Sequence, residues 1–171
     1  MENVIEYSAK IHAYADEILE SSKLIETLKK FGDVHIGGAY ELDLMYDGDI
    51  DVRVYCDDPR KDSVEALKEL IQLRDFQKFQ YGDFEKFPRE NRPKSFIVVL
   101  IVPYQNLKWE IEIWFYQKED RVKDELIEQL KSEMTLEMKK EILDAKKDRA
   151  EKGIPKHGIS SVEIYKAILK K

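Results

Sequence analysis

Residues 95–102, SFIVVLIV, form an unbroken apolar run. It has the length of a strand and is far too short to span a membrane. A strand without polar alternation is covered on both faces, so this chain must place material on each side of one central strand. After a turn at Pro103–Asn106, residues 108–116 (KWEIEIWFY) alternate, with Trp109, Ile111 and Ile113 on one face and Glu110, Glu112 and Trp114 on the other. Residues 49–56 (DIDVRVYC) alternate likewise, Ile50, Val52, Val54 and Cys56 against Asp49, Asp51, Arg53 and Tyr55. Val34–Ile36 and about 76–82 supply further strands, and Asp47-Gly48 marks a turn.

Helical periodicity fills the intervals. A helix over about 3–30 carries the stripe Ile11, Ala15, Ile18, Ser22, Ile25 and Leu28, with Gly32 as its C-cap. Ala39–Tyr46 suits a short helix. Asp62 and Glu65 have capping-box spacing and open a helix to about Leu73, with Val64, Leu67, Leu70 and Ile71 inward. A long helical stretch over about 119–150 carries Val122, Leu126, Leu130, Met134, Met138 and Ile142, and Gly153 and Pro155 end it. Ser160 and Glu163 begin a last helix with Ile164, Ile168 and Leu169 inward. The expected fold is α/β (α+β), a mixed sheet of about five strands with flanking helices. At 171 residues a single domain, 1–171, is expected, with a core over about 30–116 and a helical C-terminal extension over about 119–171.

Composition excludes several function classes. The net charge of −6 gives no general electrostatic reason to coat nucleic acid. One cysteine, Cys56, forms no internal disulfide and suits a reducing compartment. The start, Met1-Glu-Asn-Val-Ile-Glu6, has no basic region followed by an apolar one, so a soluble cytoplasmic protein without a membrane segment is expected. His12, His35 and His157 are isolated in sequence and do not suggest zinc. Asp47, Asp49 and Asp51 open like a calcium-binding loop, but Val52 stands where glycine is required and Asp58 where a bidentate glutamate is required. Charge is uneven: residues 139–171 hold ten Lys/Arg against five acids. That is +5, leaving −11 for residues 1–138. Such a segment is either a solvated helix face or a basic element that meets an anionic ligand held by the acidic part.

Two pairs of carboxylates carry the chemistry. Asp49 and Asp51 are two apart on a strand, so both point the same way, as do Glu110 and Glu112. Like charges on one sheet face repel unless a cation lies between them, and a divalent ion with oxygen ligands is the simplest such cation. Gly37-Gly38 follows a strand and precedes a short helix, leaving backbone amides open to phosphate oxygens.

The order Ile36-Gly37-Gly38, ten residues, then Asp49-Ile50-Asp51-Val52 resembles the motif of the nucleotidyltransferase superfamily, the polymerase-beta-like enzymes, in a small minimal form. The likeness covers roughly residues 30–116, and Gly158–Tyr165 resembles the tail of some small members. Many members carry Ser where this chain has Gly38 and Gly48, and Asp where it has its third carboxylate. The resemblance implies transfer of a nucleoside monophosphate from an NTP, ATP foremost, to a hydroxyl or similar acceptor, with release of pyrophosphate. It implies Asp49, Asp51 and Glu112 as catalytic metal ligands, with Glu110 the alternative third carboxylate. They would hold two Mg²⁺ ions, for which Mn²⁺ can substitute. Gly37, Gly38 and Arg53 would bind the nucleotide, Arg53 either neutralising its charge or pairing with Asp51. Arg89, Arg92, Lys94 or the basic tail would add triphosphate contacts. Tyr40, Tyr55, Tyr81 and Trp114 are expected to pack rather than stack a base. The acceptor is expected to be a small molecule or protein rather than a long nucleic acid. Two readings stay open beside this one: a non-catalytic nucleotide- or partner-binding member of antitoxin-like type, and pyrophosphate transfer on the same fold.

Overall fold

The computed structural model describes residues 3–90, 93–121, 123–156 and 158–170. Its sheet has the order β1-β2-β5-β4-β3, from β1 (Asp33–Gly37), β2 (Asp49–Cys56), β3 (Lys78–Asp83), β4 (Phe96–Tyr104) and β5 (Leu107–Gln117). Only β2 and β5 run parallel; every other pairing is antiparallel. The expected mixed five-stranded sheet with flanking helices and a helical C-terminal segment is therefore what the chain builds.

The central strand behaves as its composition requires. Phe96, Val98 and Leu100 enter the main core, while Ile97, Val99 and Ile101 pack on the opposite face with Trp114 and Phe84. β4 and β5 are joined by Gln105 and Asn106, both with positive φ (50° and 61°), the two-residue turn whose twist matches the strands it connects. The main core lies between one sheet face and α1 (Val4–Ser21), α2 (Leu24–Leu28) and α4 (Pro59–Leu73). A second core forms where Leu42 and Leu44 meet α5 (Glu125–Glu133), α6 (Leu136–Glu151) and α7 (Ser161–Leu169). α1 serves both: Ile11, Ala15 and Ile18 face the first core and Val4 the second.

Several expectations are corrected here. The first helix breaks at Lys23, whose φ of 53° turns the chain while Leu24 and Leu28 keep the stripe buried. That helix ends at Leu28 and is capped at Lys29, so Gly32 takes no part in it. α3 is only Gly38–Glu41. α4 begins at Pro59, with the Asp58 side chain accepting from the Lys61 amide; Asp62 lies in its first turn. Its inward face is Ser63, Ala66 and Leu70, whereas Val64 and Ile71 are exposed. Small side chains bring that helix close to the sheet, and the Ser63 hydroxyl bonds to the Arg60 carbonyl. The long C-terminal helix divides at Thr135, which caps α6 by accepting from the Met138 amide. Val122 of its predicted stripe, Arg92 and His157 lie outside the described residues. Ser160 and Glu163 form the expected capping box on α7. Among the described residues no helix is long and apolar enough to cross a membrane.

Cys56 is fully buried at the end of β2, and burial with nearby carboxylates pushes its thiol up to about 12. Since the thiolate is the reactive form, Cys56 should resist iodoacetamide in the native protein and react only with unfolding. Thiol titration with and without denaturant measures this.

Candidate active site

Because β2 and β5 are parallel neighbours, Asp49 lies opposite Glu110 and Asp51 opposite Glu112. Strands are roughly 4.8 Å apart, so four carboxylates crowd the sheet face that points away from the main core. Such a face needs cations, and the C-terminal helices deliver them. The Arg149 side chain, only 3% exposed, donates to Asp47 Oδ2 at 2.7 Å and to the Ile159 carbonyl at 3.0 Å. Lys156 forms an ion pair with Asp49 and lies 3.5 Å from Asp47. Lys146 is buried; its Nζ donates to the Leu44 carbonyl at 2.7 Å and the Tyr165 hydroxyl at 3.0 Å. Burial lowers the Lys146 ammonium to about 8, with Asp47 and Asp51 opposing the shift.

Gly38 fixes the other side. Its φ is +64°, and a Cβ there would run into the Asp51 carboxylate. At Gly48 a Cβ would come within 3.0 Å of the Lys108 carbonyl and 3.1 Å of the Trp109 ring. Both departures from serine thus have a steric cause in this chain. Gly37 has room for a side chain, its nearest neighbour being His35 at 3.5 Å.

These groups line a cavity of about 500 Å³. Gly38, Asp49, Asp51, Arg53 and Glu112 are on its wall, and Lys146, Ser161 and Tyr165 close it from the C-terminal side. Glu110 and Gly37 are not on that wall, although Gly37 pairs with Asp51 in the sheet. Arg53 reaches Asp124, the N-cap of α5, at 3.8 Å. Glu112 accepts from the Trp114 indole at 3.0 Å, and burial raises its proton affinity, with Asp51 and Glu110 adding to the rise. Tyr55 and Trp114 line the cavity. Tyr40 instead stacks on His12, and Tyr81 bonds to Ser63. Arg89 lies 4.1 Å from the centre of the Phe84 ring and 5.3 Å from that of Trp114.

As the side chains stand, no three His, Cys, Asp or Glu among the described residues are gathered to hold a metal ion. Lys156 engages Asp49, and the Trp114 indole engages Glu112. The donor set still fits a hard divalent ion: oxygen ligands on adjacent, in-register strands, one already facing a cation. Sequence reading did not single out Lys146, Arg149 or Tyr165 for the site. A signal existed, since Ile142, Lys146 and Arg149 recur at helical spacing, so two cations extend a buried apolar stripe.

No protein-family model and no curated protein matches the sequence. Solved structures do. The polymerase core of TRAMP, an RNA surveillance complex, matches at a TM-score of 0.61 and 17% identity over 88% of this chain. The fold is of the nucleotidyltransferase, polymerase-beta-like type. This chain covers 46% of that one, about half its length. The small alarmone synthetase 2 of Bacillus subtilis matches at 0.43, with 18% identity over 81% of this chain and 95% of that one. A GTP pyrophosphokinase family protein of Streptococcus pneumoniae matches at 0.41, with 13% identity over 89% and 92%.

Two stability outcomes follow from the geometry. Gly38→Ala should cost about 2 kcal/mol or more, combining positive φ with the clash, while Gly37→Ala should cost under about 1 kcal/mol. Arg149→Met should cost about 3 kcal/mol, because it strips Asp47 of its buried partner. Urea unfolding of the three variants checks both.

Proposed function

We propose that this protein is a metal-dependent nucleotidyltransferase that moves a nucleoside monophosphate from an NTP, ATP foremost, to a hydroxyl acceptor. The reading is carried by one observation: Gly38, Asp49, Asp51, Glu112 and Lys146 all line one cavity of about 500 Å³. In the reaction a bond forms from the acceptor oxygen to the α-phosphorus, the α–β bridging bond breaks, and pyrophosphate leaves. Asp49, Asp51 and Glu112 would hold the Mg²⁺ ions, or Mn²⁺ in their place. When bound, these supply Lewis acidity to the entering and leaving oxygens of an in-line displacement. The Gly38 backbone lies against the β/γ-phosphates. Lys146, fixed by two hydrogen bonds, offers its remaining N–H to the same anion. Glu112, on the cavity wall, takes the acceptor's proton. The −11 charge of residues 1–138 favours a small-molecule or protein acceptor over a long nucleic acid.

Asp51→Asn should lower transfer by about 100-fold or more while leaving the circular dichroism spectrum unchanged. Metal-dependent NTP binding, read by calorimetry, should disappear in Asp49→Ala/Asp51→Ala. Product mass distinguishes transfer of one phosphate from transfer of two.

Lys146 gives the reaction a pH signature. Its ammonium loses its proton near pH 8, and a bound triphosphate raises that value, so binding takes up protons around pH 8 and weakens as pH rises beyond it. Calorimetry in buffers of different ionisation enthalpy should register a fraction of a proton taken up by the wild type at pH 8. Lys146→Met should abolish that uptake.

A further inference from the structure

We propose that Lys156 is a tethered counter-ion of the carboxylate site, which a divalent ion must displace, so that metal binding frees the turn carrying it. The inference rests on the reading of Asp49 and Asp51 as metal ligands.

Lys156 follows α6, next to a turn in which the Gly158 amide donates to the Pro155 carbonyl at 2.8 Å. Its ammonium pairs with Asp49 and lies 3.5 Å from the Oδ2 of Asp47 that Arg149 already engages. The two cations therefore divide the work. Arg149 is enclosed and permanent, whereas the Lys156 and Asp49 side chains are 43% and 45% exposed and open to exchange with ions from solvent. An ammonium is a point charge with no preferred coordination geometry. A divalent ion that takes the Asp49 Oδ2 engaged by Lys156 as an inner ligand competes with the ammonium for that oxygen.

A displaced side chain has somewhere to go. Asp47 and Asp49 form a ridge between the main cavity and a second one of about 490 Å³, lined by Tyr7, Tyr46, Glu151 and Lys156 among others. Glu151 on that wall offers the released ammonium another carboxylate. Without metal, Lys156 relieves the repulsion among the strand carboxylates and the site stays assembled. With metal, the Asp49 pair breaks and the turn loses one of its anchors, keeping the Arg149 bond to the Ile159 carbonyl.

The test uses Mn²⁺ alone, with free ion followed by electron paramagnetic resonance, and needs no nucleotide, acceptor or turnover. A pair this exposed contributes modestly, so Lys156→Met should bind Mn²⁺ about fivefold tighter than the wild type. Lys156→Arg, which keeps the competing cation, should stay near wild type. Lys108→Met removes one charge on the wall of the second cavity, and should change the affinity by less than about twofold. Amide hydrogen exchange at Ile154 and Gly158 should speed up when Mn²⁺ is added to the wild type. In Lys156→Met it should be fast already and indifferent to metal. Equal or weaker Mn²⁺ binding by folded Lys156→Met, or slower exchange of the turn with metal, overturns the proposal while leaving the metal site standing. Failure of both folded proteins to bind Mn²⁺ overturns the metal reading, and this inference with it.

Discussion

Two buried cations on one helix hold the turn that leads into β2. Lys146 and Arg149 of α6 reach the turn between α3 and β2, one gripping the Leu44 carbonyl and the other the Asp47 carboxylate. Leu44 is itself fully buried in the second core, so the turn is fixed by packing and by polar contacts at once. What leaves that turn is β2, and the first residues of β2 are Asp49 and Asp51. The direction in which the carboxylates face is therefore set from the far end of the chain. Burying two cations is costly unless partners offset it, and here Arg149 has a carboxylate and a carbonyl while two bonds occupy two of the three Lys146 N–H groups.

The sheet does the complementary work. One antiparallel hairpin, β4–β5, is packed on both sides because its central strand is apolar on both faces. β5 then lies parallel to β2, and its alternation puts Glu112 level with Asp51. A one-residue slip would bury the carboxylates and expose Ile111 and Ile113, so hydrophobic burial enforces the register the proposed site depends on.

Much of this was legible in the sequence. The alternation of 49–56 locates β2 with its boundaries because half-buried strands write a period of two directly into the chain. The uninterrupted run near 95–102 announces the central strand for the same reason. Helix breaks were harder. At Lys23 and Thr135 the apolar stripe continues across a change of direction, so periodicity alone does not register it. The inward face of α4 was misjudged because Val64 and Ile71 look like core, while small Ser63 and Ala66 win the position by allowing close approach. The cationic half of the cavity was the least visible part. A lysine on an amphipathic helix reads as solvated surface, and only its three-dimensional partners, Leu44 and Tyr165, disclose otherwise. Why glycine replaces serine at 38 and 48 also emerges only with the neighbours in place.

The grip of α6 on the turn spans 102 residues in each of its two contacts. Protein synthesis runs from the N-terminus, so all five strands leave the ribosome before the wall opposite the carboxylates exists. A nascent or prematurely stopped chain ending before Tyr165 carries the acidic sheet face without Lys156, Arg149 or Lys146 to neutralise it, or without the hydroxyl that holds Lys146. Its cavity has a floor and no roof. Charge repulsion works against closing such a product, and the pocket is complete only once α7 has been made.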